Sequence, residues 1–403
     1  MIDNQGIHVF ELVVGLLIVA AMFLRVWFGR LGAPSLIGFI LLGFVVRLID
    51  TAVPFLTEAS HHILEFLASI GVFILLFRVG LESNLHGLVS KLPRAMPIWV
   101  GNVVLSGLPA YLLCRWAFDL ALVPSIFVAV AMTATSIAVS AEMWRDAGML
   151  DSADGETLID VAQLDDVSGV ALMSLALAVA PALQFGGNGS PLDLATGVFF
   201  EFLLKAALFG GFCLILARYG ERRIVTALRG TGEPGSALIL IGIGLVIAAV
   251  ASLFGFSIAI GAFFAGLIFS RDPEAVRLET GFMPLHAFFV PFFFIAIGFR
   301  IEPQSLGLAL EFGALLLAVA VLGKVVGAGL PALMTTSGAG ALLIGVSMVP
   351  RAEIAMIIGQ QARELGDWAM PPVVFSGIAF VSLATCLIAP FVLRAILKRW
   401  PSE

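Results

Sequence analysis

A succession of long apolar segments, separated by short polar gaps, limits what this chain can fold into. An α-helix needs about 20 apolar residues to cross the hydrocarbon core of a bilayer. The sequence therefore predicts an all-α integral membrane protein with about 13 transmembrane helices, or twelve if one of the two short segments does not span. The candidate segments are residues 7–28, 34–49, 63–80, 95–113, 124–142, 157–180, 196–217, 235–253, 257–269, 282–299, 306–333, 339–362 and 373–396.

The gaps between these segments exclude several other classes of protein. None approaches the roughly 50 residues of a soluble domain, so we expect a single transmembrane domain over residues 1–403 and no soluble regulatory domain. Only 12% of the residues are charged, the net charge is −6, and no long basic run is present to neutralise phosphates. We therefore expect no nucleic-acid partner and a function located inside the bilayer.

Basic residues are distributed unevenly over the gaps. Cytoplasmic loops are enriched in Lys and Arg, and this rule predicts that the N-terminus lies outside and the C-terminus lies in the cytoplasm. In that orientation the outer gaps contain only Arg47, Arg115, Arg300 and Arg363. The inner gaps contain Arg25, Arg30, Lys91, Arg94, Arg145, Arg218, Arg222, Arg223, Arg229, Arg271, Arg277, Arg394, Lys398 and Arg399.

The sixth segment carries two adjacent acids, Asp165 and Asp166, well inside an apolar helix. A charged side chain near the bilayer centre costs at least a few kcal/mol and usually faces a cavity or a partner. Neighbouring helix residues are about 100° apart, so one acid can face water while the other faces another helix. The pair predicts a cation site whose ligands also bind protons. The alternative is that both acids belong to a cytoplasmic helix end.

A lysine lies equally deep in the eleventh segment. About a dozen apolar residues precede Lys324, and snorkelling to the membrane surface from that depth is difficult. A buried lysine needs a counter-charge or must release its proton. We therefore predict that Lys324 pairs with Asp165, either as part of the functional site or as a purely structural pair.

Two further segments carry signs of a broken helix. In the twelfth, Pro350 interrupts the helix because proline lacks an amide hydrogen and clashes with the preceding turn; Arg351 and Glu353 follow it directly. The fifth carries Thr133, Thr135 and Ser136 at a comparable depth. Two discontinuous helices are typical of inverted-repeat transporters that hold their substrate near the midplane, although Ser/Thr packing alone also explains the fifth segment.

These features together resemble the monovalent cation:proton antiporter-2 family, bacterial sodium/proton exchangers with crossed discontinuous helices. The resemblance covers nearly the whole chain, although Ala352 replaces the family's usual glycine and Gln163 lies where small apolar residues are common. The matching motifs are Gly38 to Gly43, Phe77 to Glu82, Asp165-Asp166, Lys324, and Pro350 to Glu353.

The resemblance implies a role for each of these residues. Asp166 is expected to be the main cation- and proton-binding carboxylate, with Asp165 as the second Na⁺ ligand and the partner of Lys324. Arg351 and Glu353 are expected to act with Lys324 in coupling or in salt bridges. The remaining polar residues of the fifth segment, Thr133, Thr135 and Ser136, are expected to line the unwound stretch beside the ion.

The same resemblance implies a mechanism and an architecture. We expect electrogenic exchange of Na⁺ or Li⁺ for protons by alternating access, without a further cofactor, in a homodimer in the bacterial inner membrane. A core bundle of residues 95–180 and 306–397 is expected to move against scaffold and dimerisation helices at 7–80 and 196–299, with inverted repeats. The alternatives are a K⁺/H⁺ antiporter and, with less support, a channel or transporter-derived sensor. An intramembrane aspartyl protease would need acids on two separate helices, so we expect no enzyme.

Overall fold

The computed structural model of the protein describes residues 4–83, 85–186, 191–220, 232–270 and 279–399, and its regular structure in those ranges is helical throughout. We number the α-helices in chain order. They are α1 (Asn4–Leu31), α2 (Ser35–Ala52), α3 (Glu58–Glu82), α4 (Leu85–Leu112), α5 (Leu122–Thr133), α6 (Ile137–Asp146), α7 (Ala153–Phe185), α8 (Pro191–Ile215), α9 (Gly232–Leu253), α10 (Ile258–Phe269), α11 (Glu279–Phe299), α12 (Leu306–Ala332), α13 (Gly338–Ser347), α14 (Glu353–Leu365) and α15 (Pro372–Leu397).

Every predicted span coincides with a helix or with a pair of half-helices. Within the described ranges, nine helices are long and apolar enough to cross a membrane: α1, α2, α3, α4, α7, α8, α11, α12 and α15. The remaining four predicted spans correspond to α9, to the short α10, and to the pairs α5–α6 and α13–α14. The chain is thus a multi-pass membrane protein, as predicted. The basic residues Arg222, Arg223, Arg229, Arg271 and Arg277, which contribute to the predicted orientation, lie outside the described residues.

The chain forms two compact units. The first comprises Met1–Ile18, Pro54–Leu85 and Ala178–Ala296, and the second Val19–Val53, His86–Leu177 and Ile297–Glu403. The second unit contains all the predicted site residues. It also contains α2, which the sequence assigned to the scaffold. Within this unit, Gly298 lies against the backbone of Ile40 on α2. The division into a moving core and a scaffold stays a prediction.

Close contact between α4 and α12 positions one side of the site. A Cβ atom on Gly101 would overlap the carbonyl of Gly327, and a Cβ atom on Gly327 would lie 2.6 Å from the carbonyl oxygen of Gly101. A Cβ atom on Gly323 would likewise overlap the backbone carbonyl of Leu105. Small residues let helix backbones approach closely in membranes, so these glycines fix the register that brings Lys324 beside α4.

The two predicted helix breaks are present and contact each other. Between α5 and α6, residues 134–136 leave the helical conformation, with ψ of 147° at Ala134 and 101° at Ser136. The backbone N–H of Ser136 donates to the carbonyl of Pro350 (2.8 Å), and the Thr135 hydroxyl donates to that of Met348 (3.4 Å). The amide and carbonyl groups released by one break are therefore partly satisfied by the other.

Candidate functional site

Asp165 lies at the centre of the site, and both of its carboxylate oxygens are engaged. Its side chain is 1% exposed. Asn102 Nδ2 donates to Oδ1 over 2.9 Å, and Lys324 Nζ lies 3.3 Å from Oδ2. A buried carboxylate is stable only when paired and hydrogen-bonded. The contact predicted between Asp165 and Lys324 is therefore present in the structure, and a third helix, α4, contributes to it.

Lys324 is fully buried and has three acceptors. Besides Asp165, its ammonium group donates to the backbone carbonyl of Thr133 and to the hydroxyl of Thr135, the latter over 2.7 Å. Three acceptors match the three N–H bonds of an ammonium group. Two of them come from the break between α5 and α6, so the lysine joins Asp165 to the unwound stretch.

The predicted lining residues of the fifth segment have different roles. Thr135 contributes its side chain to Lys324, whereas Thr133 contributes only its carbonyl, since its hydroxyl donates to Val130 of its own helix. The hydroxyl of Ser136 is buried and has no hydrogen-bond partner among the described residues. It is therefore an oxygen available to an incoming cation.

Arg351 is fully buried and binds backbone carbonyls. Its guanidinium donates to Met132 at the end of α5 (3.0 and 3.3 Å), to Val349 in its own break (3.0 Å) and to Ala320 on α12 (3.1 Å). A helix C-terminus carries a partial negative charge and leaves carbonyls without intrahelical partners. Arg351 therefore stabilises the broken end of α5.

The sequence grouped Arg351 and Glu353 with Lys324 as coupling or salt-bridge residues. In the described part of the chain, neither Arg351 nor Glu353 has a salt-bridge partner. Glu353 is the half-buried first residue of α14, where a negative side chain is favoured by the positive end of the helix dipole. Ala352, in place of the family's glycine, directly precedes α14 with φ of −142° and ψ of −98°.

Asp166 differs from its neighbour in exposure. It is half-buried where Asp165 is enclosed, and its charge acts favourably on Lys324. One acid of the pair is thus fixed inside the protein, while the other is partly accessible, as the 100° step between neighbouring helix residues predicts.

Asn102 is the principal site residue that the sequence analysis missed. It is fully buried on α4 and contacts Asp165 directly. The signal in the sequence was an asparagine inside an apolar segment. A buried amide also needs a hydrogen-bond partner there, although burying it costs less free energy than burying a charge. Trp99, one turn earlier, donates to Ser168 on α7 over 2.9 Å and is a second contact between the same helices.

The arrangement brings oxygen ligands and titratable groups together at two helix breaks. Carboxylate, hydroxyl and carbonyl oxygens are the ligands that hard cations prefer. Lys324 already occupies several of these oxygens. A cation that enters must therefore compete with the ammonium group and with protons for Asp165.

Comparison with known proteins agrees with this geometry. The model of the family described as sodium/hydrogen exchanger, transmembrane, matches residues 15–399. The chain is 30% identical over 350 residues to the high-affinity Na⁺/H⁺ antiporter NhaS3 of Synechocystis, covering 85% of this chain and 73% of that protein. It is 29% identical to the Na⁺/H⁺-K⁺ antiporter GerN of Bacillus cereus, with coverage of 91% and 90%.

A solved structure also shares the fold. The structure of the sodium proton antiporter MjNhaP1 from Methanocaldococcus jannaschii superimposes with a TM-score of 0.75 and 15% sequence identity. The match covers 99% of this chain and all of that one. At this identity the similarity establishes the common helical architecture.

Proposed function

The chain belongs to the sodium/hydrogen exchanger family, and we propose that it exchanges Na⁺ or Li⁺ for protons across the membrane by alternating access. The observation that carries this proposal is the buried pair of Asp165 and Lys324 at the crossed helix breaks, with the half-buried Asp166 beside it. The relatives named as Na⁺/H⁺ antiporters support the same choice of ions.

Competition for the same oxygens couples the two ions. Asp166, the accessible acid, is the first ligand for an incoming cation, and Asp165 becomes the second when its contact with Lys324 is released. Lys324 then still has Thr133 and Thr135 as acceptors, so it stays in place. Without its counter-charge, the buried ammonium is destabilised and releases a proton. Cation binding on one side of the membrane thereby expels a proton, and protonation expels the cation.

Movement of the loaded site completes the cycle. Neutralised carboxylates lower the free energy of carrying the site across the hydrophobic barrier. The bundle of residues 95–180 and 306–397 moves against the scaffold of 7–80 and 196–299, as inverted-repeat transporters do. The protein works as a homodimer in the bacterial inner membrane, with its N-terminus outside. If both Lys324 and the aspartates change protonation, the exchange is electrogenic.

Proteoliposomes with an imposed pH gradient test the proposal. Addition of Na⁺ or Li⁺ is expected to collapse the gradient, and Asp166→Asn is expected to abolish the response because it removes the accessible negative ligand. Asp160→Asn, on the same helix nearer its end, is the matched control and keeps the response.

Other outcomes separate the alternatives. Full activity in Asp166→Asn would contradict the assigned ligand. Collapse by K⁺ but not by Na⁺ would favour a K⁺/H⁺ antiporter, in line with the K⁺ in the name of GerN. Cation current without proton movement would favour a channel, and no response to any cation in folded protein would favour a sensor.

A further inference from the structure

The helix α8 carries an ion pair in the middle of an apolar span. Glu201 and Lys205 lie one turn apart, and Lys205 Nζ is 2.6 Å from Glu201 Oε1. The apolar helix covers residues 196–219, so Lys205 lies about 14 Å from its first residue at a rise of about 1.5 Å per residue. Half the hydrocarbon thickness of a bilayer is about 15 Å. The pair is therefore close to the midplane.

The turn beside Lys205 indicates a similar depth. Lys205 Nζ lies 3.9 Å from the position of a Cβ atom on Gly255, in the turn between α9 and α10. The helix α10 has 12 residues, which cover about 18 Å of the roughly 30 Å of hydrocarbon. Its other end is followed in the sequence by Arg271 and Asp272, charged residues that belong at the membrane surface. The turn at Gly255 is therefore inside the membrane, and so is Lys205.

Both side chains of the pair are open on the surface of α8. The side chain of Glu201 is 61% exposed and that of Lys205 is 43% exposed. Charged residues inside a membrane almost always face protein or a water-filled cavity, because hydrocarbon does not solvate them. Among the nine long apolar helices of the described ranges, α8 also has the smallest share of buried residues. A single chain therefore leaves a charged surface uncovered at a depth where lipid is a poor solvent for it.

The residues around the pair form a continuous contact face. On the side of α8 that carries Glu201, residues recur every three and four positions, the spacing with which two helices pack along a left-handed seam. The apolar side chains of this series are each more than half exposed, and a Cβ atom on Gly211 would meet nothing within 4 Å. The α8 face, as we call it, consists of Glu201, Leu204, Leu208, Gly211 and Ile215, with Lys205 beside them.

The α8 face is complementary to itself. In a two-fold symmetric dimer, a residue i of one copy contacts a residue j of the partner, and j contacts i. Two copies in one membrane share an orientation, so their α8 helices run parallel and the two acids lie at the same depth. Each Glu201 is then one turn from the lysine of the other copy, and two reciprocal ion pairs form. Gly211 lets the two backbones approach closely. One surface that carries both the acid and the base therefore fits a second copy of the chain.

We propose that two copies of this chain associate through the α8 face, with Glu201 of each copy paired to Lys205 of the partner subunit. This inference gives the proposed homodimer its contact surface, and it rests on the proposed function for the existence of that dimer. The four charges cover one another in the dimer, and the apolar residues of the face exclude lipid from them.

Charge reversal distinguishes pairing between two copies from pairing within one helix. Glu201→Lys and Lys205→Glu each leave two like charges on the face, and each is expected to weaken the dimer at least tenfold through the loss of both reciprocal pairs. Energy transfer between donor- and acceptor-labelled protein in liposomes, over a range of protein-to-lipid ratios, measures the association.

A mixture of the two variants is the decisive measurement. Donor-labelled Glu201→Lys carries two bases on its face, and acceptor-labelled Lys205→Glu carries two acids. The two are expected to associate with nearly the affinity of the wild type, although neither associates well with itself. A single chain with both reversals keeps one acid and one base and is also expected to match the wild type.

Two neighbouring glycines test the packing of the face. A Cβ atom on Gly210 or on Gly211 would meet nothing within 4 Å, so a single chain accommodates a leucine at either position. Gly211 lies on the α8 face, whereas Gly210 is turned about 100° away from Gly211. Gly211→Leu is expected to weaken the dimer several-fold, because its side chain separates the two helices. Gly210→Leu is the matched control and keeps the affinity of the wild type.

The possible failures are distinguishable. A dimeric wild type whose affinity is unchanged by both single reversals overturns this inference and leaves the proposed homodimer intact. Weakened single variants that do not associate in the mixture also overturn it, since that pattern indicates a pair that acts only within α8. Equal affinity of the two leucine variants overturns the assigned face. A wild type that is monomeric in lipid overturns this inference and the proposed homodimer together, while the pH-gradient assay tests ion exchange separately.

Discussion

The buried pair of Lys324 and Asp165 predicts strong energetic coupling between two helices. Removing one member of a buried ion pair costs about 3–5 kcal/mol, whereas removing both is far less harmful. Lys324→Met leaves Asp165 with Asn102 alone, and Asp165→Asn leaves the ammonium with Thr133 and Thr135. The double variant loses the two hydrogen bonds of the lysine to Thr133 and Thr135, about 1 kcal/mol each. The two single losses are therefore expected to exceed the double loss by about 4 kcal/mol or more.

Thermal unfolding of the four proteins in detergent, followed by tryptophan fluorescence, measures this coupling. The double variant is expected to unfold several degrees above the temperature predicted by adding the two single shifts. Exchange activity is a separate readout and is expected to be low in all three variants. Strictly additive shifts would refute the reasoning, because they would mean that the two charges do not stabilise each other.

Two further predictions follow from individual contacts. Thr135→Val is expected to lower the exchange rate at least several-fold, because it removes an acceptor of Lys324. Thr133→Val is expected to stay near the wild-type rate, since only the backbone carbonyl of Thr133 contacts the lysine. The same proteoliposome assay measures both variants, and equal rates would contradict the assigned roles. Gly101→Ala is expected to destabilise the protein by about 1–3 kcal/mol because its Cβ would overlap the backbone of α12. Gly210→Ala, whose Cβ would meet nothing within 4 Å, is the control, and both variants are compared by thermal unfolding.

The sequence predicted the helices well because each span has its own local signal. Apolar length located all thirteen segments, and Pro350 located the break between α13 and α14 through its missing amide hydrogen. The break between α5 and α6 contains no proline. It was predicted from the polar residues Thr133, Thr135 and Ser136, and it forms where hydrogen bonds to the second break replace those of the helix.

The partners of the site residues depend on distant segments and were harder to predict. Charge complementarity was enough to pair Lys324 with Asp165, because few opposite charges exist inside the membrane. Arg351 could not be assigned in this way, since its acceptors are backbone carbonyls of α5, α12 and its own loop. Carbonyls are present at every residue, so only the fold determines which of them lack partners.

The broken helices also explain the charge balance of the site. Arg351 lies against the negative end of α5, and Glu353 begins α14 at its positive end, so each of these charges is offset by a helix terminus. Of the remaining charges, Lys324 balances Asp165, and Asp166 contributes one further negative charge. In this state one proton on Asp166 neutralises the site. In the proposed cycle, one Na⁺ instead binds both aspartates while Lys324 releases its proton, which leaves the site with one net negative charge. The two loaded states then differ by one charge, so the exchange of two protons for one Na⁺ is expected to respond to the membrane potential.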